Sequence, residues 1–170
     1  MGQKKTSRIW NLNGSTDNPY VDGRKGMLEA YQKAIDGTQL AGPTYFYGIL
    51  DKIRSQILHQ FAHQEEEQKV YHLVIFITDG NCHDMEKTKR ILVEMSGMPF
   101  SAVIVGVGED EDFDDMEELD ADATILTDDK GNAAVRDIVQ FVKYSDFKEL
   151  GMRELALEVL GEVPDQFVDY

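Results

Sequence analysis

Apolar residues fall into two kinds of pattern along this chain. Tyr71 to Ile77 (YHLVIFI) and Ser101 to Val107 (SAVIVGV) are dense β-branched and aromatic runs without alternation. Such runs predict strands buried on both faces, and therefore central strands of a parallel sheet. Elsewhere the apolar residues recur every three or four positions, which is the spacing of an amphipathic helix. Helices are expected over Gly26 to Ile35, closed by Asp36-Gly37 as a C-cap, and over about Tyr45 to Ala62. In the second of these, Phe46, Ile49, Leu50, Ile53, Ile57, Leu58 and Phe61 share one stripe. Further helices are expected over Met85 to Met95, Phe113 to Leu119, Ala134 to Phe147 and Met152 to Leu160. Gly97-Met98-Pro99 stops the first of that group, Asp129 to Asn132 turns the chain, and a tail follows around Pro164. Ser7 to Asn13 and Ala123 to Leu126 read as weaker strands, and His63 to Lys69 as a solvated linker or a helix end. Strands alternating with helices predict βαβ units, hence an α/β fold with a doubly wound, mainly parallel sheet flanked by helices.

Charge narrows the function. Against 17 basic residues stand 32 acidic ones, a formal charge of −15. A chain this acidic repels polyanions, so nucleic acid is excluded as a partner. No apolar run reaches the roughly 20 residues of a membrane-spanning helix, and no secretory apolar stretch follows Met1. The 170 residues fit one domain, and the single cysteine, Cys82, forms no intrachain disulfide and suits a reducing compartment.

Candidate chemistry gathers where the first buried run ends, at Thr78-Asp79-Gly80. In open parallel sheets ligands bind beyond the carboxyl ends of the strands. A carboxylate there, followed by a glycine that lets a ligand approach the backbone, suits a hard divalent cation; a helix cap is the other reading of Asp79. Thr44 offers a hydroxyl after Gly42-Pro43 or serves as the N-cap of the next helix. Ten acids crowd the fourteen positions from Glu109 to Asp122. Asp110, Asp112 and Asp114 imitate the opening of a calcium loop, but Asp115 stands where the loop needs glycine and no glutamate closes it, so a solvated acidic face is expected. Gly106 and Gly108 lack the third glycine of a dinucleotide loop and read as a tight turn. His59 and His63 have the spacing to clasp zinc without the accompanying motif, and are expected to be exposed histidines. Cys82 and His83 are chain neighbours, an arrangement that disfavours nucleophilic catalysis. Met1-Gly2 with Thr6 matches a myristoylation pattern, with Lys4, Lys5 and Arg8 as a basic second signal; a plain start codon is the alternative.

Six blocks together resemble the copine-type von Willebrand factor A domain: LNG at Leu12, GMLEAY at Gly26, QLAGPT at Gln39, VIFITDG with Asp84-Met85, AVRDIVQFV at Ala134 and EVPDQFVDY at the end of the chain. The resemblance implies a module that is not an enzyme and binds protein partners. It does so at a divalent-cation site on the carboxyl end of the sheet, with an acidic residue of the partner completing the coordination. Three loops hold the ion in that family; by position Thr44 matches the second and Asp79 the third, with Gly42 and Gly80 shaping those loops. The Asp-x-Ser/Thr-x-Ser motif of the first loop is not found in this chain. Binding of Mg²⁺ or Mn²⁺, with Ca²⁺ as a third candidate, is therefore expected to be weak or absent. The chain corresponds to the later part of such a domain, without the family's first strand, first helix and second strand. That leaves one edge of the Tyr71 to Ile77 strand open, for a homodimer or for a segment of a longer protein. Membrane contact would come through the family's calcium-dependent C2 domains, which this chain does not contain, and the expected location is cytoplasmic, peripheral at membranes in the parent protein. Two alternatives stand beside this reading: a Mg²⁺-dependent phosphoryl-transfer enzyme using Asp79, and a copine-related ubiquitin ligase, whose RING a single cysteine excludes from this chain.

Overall fold

The computed structural model describes residues 9–39, 42–63, 70–108, 112–120 and 124–170. The chain divides into two compact units, Met1–Pro43 and Thr44–Tyr170. In the first, α1 spans Gly23–Gly37. It starts one turn earlier than its apolar spacing suggested, on a glycine with φ +56°. It also contains Asp36 and Gly37, and the chain leaves in extended geometry at Thr38, so the expected glycine C-cap is not formed. Residues 9–13 form no strand; Gly14 N–H donates to Asn11 O, and the Asn13 carboxamide takes Ser15 N–H while donating to Asn18 O and Tyr20 O. Polar side chains satisfy that backbone locally, which removes the need for a ladder. Ser7 and Arg8 of the expected strand, the myristoylation pattern and residues 64–69 lie outside the described residues.

The second unit runs α2 (Tyr47–His63), β1 (His72–Thr78), α3 (Met85–Met95), β2 (Phe100–Gly106), α4 (Asp114–Leu119), β3 (Val139–Lys143), a 3₁₀ turn (Tyr144–Phe147), α5 (Met152–Val159) and α6 (Val163–Val168). The sheet has the order β1-β2-β3 and both pairings are parallel. The architecture is therefore the expected α/β one, a parallel sheet flanked by helices. On one face Val74, Phe76, Ala102, Ile104 and Val139 meet Leu50 and Ile57 of α2 and Ile91, Leu92 and Met95 of α3 in the main core. Val103, Val142 and Leu155 are buried outside that cluster, where α5 contacts β3 and α6 contacts β2. Leu58 and Phe61 of the predicted α2 stripe are exposed; the buried line runs through Leu50 and Ile57.

β1 is bonded to β2 on one side with no described strand on the other, the open edge expected of this strand. Three other expectations are corrected, the first being that β1 is central and buried on both faces. Its alternate residues Leu73, Ile75 and Ile77 are 40%, 54% and 73% exposed, so it is buried on one face only. The predicted helix over Ala134 to Phe147 is instead β3 and its 3₁₀ turn. Ile138, Val139, Phe141 and Val142 suit a pleated buried position, and pairing with Ala102–Gly106 overrides a periodicity that a helix would also have satisfied. Residues 124–126 are not a strand; only an isolated bridge, Thr127 to Ala133, flanks the expected turn. Asp128 organises that turn by accepting the Lys130 and Asn132 backbone N–H groups and the Asn132 carboxamide. Those donors, the Asn132 side chain first, hold its carboxyl below the usual range. The tail at Pro164 is helical, with the proline in the first turn of α6, where its missing N–H costs no bond.

The outer side of β3 is sealed by acids. Val139 N–H donates to Asp137 Oδ1 and Phe141 N–H to Asp120 Oδ2, each at 3.1 Å. Glu162 accepts from the Gln166 carboxamide and faces the amide nitrogen of Gln140 at 2.6 and 2.9 Å. Carboxylates along a strand edge take its spare donors and discourage pairing with other chains. Two of the blocks that carry the resemblance, AVRDIVQFV and EVPDQFVDY, meet in this region: Arg136 donates to Gln166 O while Gln140 reaches Glu162.

Candidate functional site

The carboxyl end of β1 is where the predicted residues lie. Asp79 follows Thr78 directly and is exposed. Thr44, half-buried, precedes α2, and its loop is tied to the loop after β1 at two points. Its N–H donates to His83 Nδ1 at 3.3 Å, and His83 N–H donates to its carbonyl at 3.0 Å. The structure thus brings the Thr44 and Asp79 loops to one end of the sheet. Gly42, at φ +93°, belongs to the first unit, which ends at Pro43, with open space where a side chain would stand.

Gly80 has a different reason from ligand access. At φ +111° its ideal Cβ would stand 2.5 Å from the Asp112 carbonyl and 3.0 Å from the Phe113 ring. Gly106 is packed the same way, with Phe113 2.5 Å from its ideal Cβ, so both glycines admit the segment that follows β2. Cys82 N–H donates to Asp115 Oδ2 at 2.9 Å, which joins that segment to the β1 loop as well.

Sequence reasoning missed Asp84. It stands before α3 but caps a different helix: Oδ1 accepts Phe46 N–H at 2.9 Å and Oδ2 accepts Tyr47 N–H at 3.2 Å, at the start of α2. Thr88 Oγ1 and the Cys82 thiol also donate to Oδ1. Thr44 therefore does not have to cap α2, while Asp84, the N-cap residue of α3, makes no side-chain cap bond to α3 itself. Replacing Asp84 by alanine leaves two helix-start N–H groups without their acceptor. It is expected to lower stability by about 2 kcal/mol. Amide exchange should rise at Phe46 and Tyr47, and an unchanged melt with unchanged exchange there would refute the assignment.

Burial pushes the Cys82 thiol up, which keeps it protonated and suits a structural cysteine better than a nucleophile. His59 and His63 are exposed, with rings stacked 4.2 Å apart, and His63 Nδ1 sits 2.8 Å from His59 O. In the acidic run, Asp114 and Asp115 lie in the first turn of α4 instead of wrapping a calcium loop, and negative charge there is favoured by the helix dipole. A hydrogen bond with Asp112, then repulsion from Asp112, Glu117 and Asp115, raises the Asp114 carboxyl. Residues 109–111 and 121–123 of the run lie outside the described residues. Among the described residues the one three-acid group with metal-compatible spacing is Asp120, Asp137 and Glu162, which contains neither Thr44 nor Asp79. No described helix is long and apolar enough to cross a membrane.

Between the starts of α2 and α3 lies an open cavity of about 430 Å³, lined by Tyr45, Cys82, His83, Asp84, Glu86 and Lys87, with Met85. The Tyr45 and His83 rings form one wall, with centroids 6.4 Å apart and planes inclined by 54°.

A parallel α/β sheet whose loops converge on an acidic carboxyl end defines a class of ligand-binding or partner-binding domain. The family follows from comparison of the whole chain: residues 1–170 match the family model Copine, and the chain belongs to the copine family.

Proposed function

We propose that this chain is a protein-interaction module without catalytic activity, part of a copine-like, calcium-dependent phospholipid-binding protein, and that it meets partners at the carboxyl end of β1 and β2. The observation that supports this reading is the convergence there of the Thr44, Asp79–Asp84 and Asp112–Asp115 segments, joined by the Thr44–His83, Phe46–Asp84 and Cys82–Asp115 bonds. A tight divalent-cation site does not fit the residues present. Thr44 and Asp79 supply two ligand groups, one hydroxyl and one carboxylate, and Asp84 is committed to α2, so most of the six or more oxygens around a hard cation would have to come from water or from another chain. Thr44 and Asp79, with Gly42 and Gly80 shaping their loops, are the ligands of a weak site at most. Membrane attachment in the parent protein falls to C2 domains, and the location is cytoplasmic or peripheral.

The open edge of β1 is proposed as a pairing edge, for a second copy or for another segment of the parent protein; a monodisperse monomer that melts cooperatively would rule this out. The module reading itself is tested with a photo-crosslinking residue at Asn81, beside the site, and at Met152 on α5 as the control position. Partner adducts should form from the first and not the second. Equal labelling from both, or Asp79-dependent hydrolysis of a generic phosphoester with Mg²⁺, would replace it with the phosphoryl-transfer alternative or with no site at all.

A further inference from the structure

We propose that the cavity beside Tyr45 and His83 receives a basic side chain, an arginine above all, from a protein partner. This rests on the module reading above and names the chemistry of the partner. In the family-type mechanism an acidic residue of the partner completes a metal ion. Without a tight ion, the carboxyl end presents more acids than bases, with Asp79, Asp112, Asp114 and Asp115 near the cavity, and an acidic group is what it would repel.

The cavity has the parts a guanidinium uses. Asp84 lines it, with its carboxylate already accepting Phe46 N–H, Tyr47 N–H and Thr88 Oγ1, so it adds charge behind the wall more than a hydrogen bond. The carboxylate that faces an incoming guanidinium is that of the exposed Glu86, beside one lining cation, Lys87. The wall itself is the Tyr45–His83 ring pair, and a planar guanidinium gains from an aromatic face while its N–H fork reaches a carboxylate. The space, about 430 Å³ and open to solvent, is large enough for the end of a long side chain. Next to it the Asp112–Asp115 segment adds long-range attraction for a cationic partner, joined to the same loop through Cys82 N–H. Lysine would use the charge alone, which is why arginine is favoured.

The test titrates the full ¹⁵N-labelled chain, in EDTA, with acetyl-Gly-Arg-Gly-amide and with its glutamate counterpart. The arginine peptide is expected to give saturable shifts centred on Tyr45, His83 and Glu86, weakening as salt is raised, and the glutamate peptide none. Glu86→Lys, an exposed substitution that spares the fold, should weaken arginine binding about fivefold. Tyr45→Leu, which removes the ring face, should weaken it further, and melting curves of both variants verify that they fold. Arginine shifts that are absent, that are spread over the acidic surface without saturation, or that are indifferent to Glu86→Lys overturn the proposal. Saturable binding at Asp79 and Asn81 but not at the cavity would overturn it while leaving the module reading in place.

Discussion

Replacing Gly80 by alanine is expected to lower stability by about 3 kcal/mol, a strain of backbone and packing together. The residue sits at φ +111°, a conformation side chains rarely adopt, and the added carbon would stand 2.5 Å from the Asp112 carbonyl. Backbone cannot move aside as a flexible side chain can, so the loop after β1 and the segment after β2 must separate. For a chain of 170 residues this corresponds to a fall in Tm of roughly 6–12 °C. Gly131→Ala supplies the control: its φ is +81° but nothing lies within 4 Å of the new carbon, so it bears the conformational cost alone. If the two variants melt alike, the close approach at Gly80 is not what the glycine is for. Because Cys82 N–H holds Asp115 in the same contact, the Gly80 variant should also lose protection at the Cys82 amide.

Removing Arg136 should have an effect of similar size at the other end of the sheet. Its guanidinium donates to four main-chain carbonyls: Met98 at 2.7 Å, Phe100 and Gln166 at 3.0 Å and Asp137 at 3.3 Å. It also lies 6.0 Å from the Tyr71 ring centroid and 5.7 Å from that of Tyr170. The group therefore ties the turn before β2, the approach to β3 and the α6 segment to one another. Arg136→Ala leaves those carbonyls short of a donor and is expected to cost about 3 kcal/mol. Arg136→Lys, which keeps the charge but not the fork, should recover part of it. Hydrogen exchange over Val163–Val168 is the sensitive readout. Protection of α6 that survives the alanine substitution would mean that Phe167 and Tyr170 on Tyr71 suffice to dock it.

The two positions show why parts of this molecule were legible in its sequence and others were not. β1, α3 and β2 were readable because each is specified locally: two dense apolar runs and a helix between Asp84 and the Gly97-Met98-Pro99 stop. β3 was not, because Ala134, Ile138, Phe141 and Val142 satisfy a helical period as well as a buried strand. What decides between them is the exposed edge of β2, a partner distant in sequence. The burial of β1 was misjudged for a related reason: apolar density reports that a strand belongs to a core, not whether both its faces are covered. At the site, the strand-end position of Asp79 could be read from the residues around it. Asp84 could not, since its acceptors serve Phe46 and Tyr47, 38 and 37 positions away. The same holds for Asp120, whose carboxylate meets Phe141 N–H across 21 positions. Side chains that satisfy someone else's backbone leave no periodic trace.

What the site lacks matters as much as what it holds. The proposed carboxyl-end surface would meet its partner without a tightly held ion, since Asp84, the acid nearest to Thr44 in the hydrogen-bond network, is spent on α2. Calorimetric titration of the full chain with Mg²⁺ and with Mn²⁺ tests this most directly. The expected result is no saturable heat at micromolar concentrations, identical for the wild type and for Asp79→Ala; micromolar affinity that Asp79→Ala abolishes would contradict it.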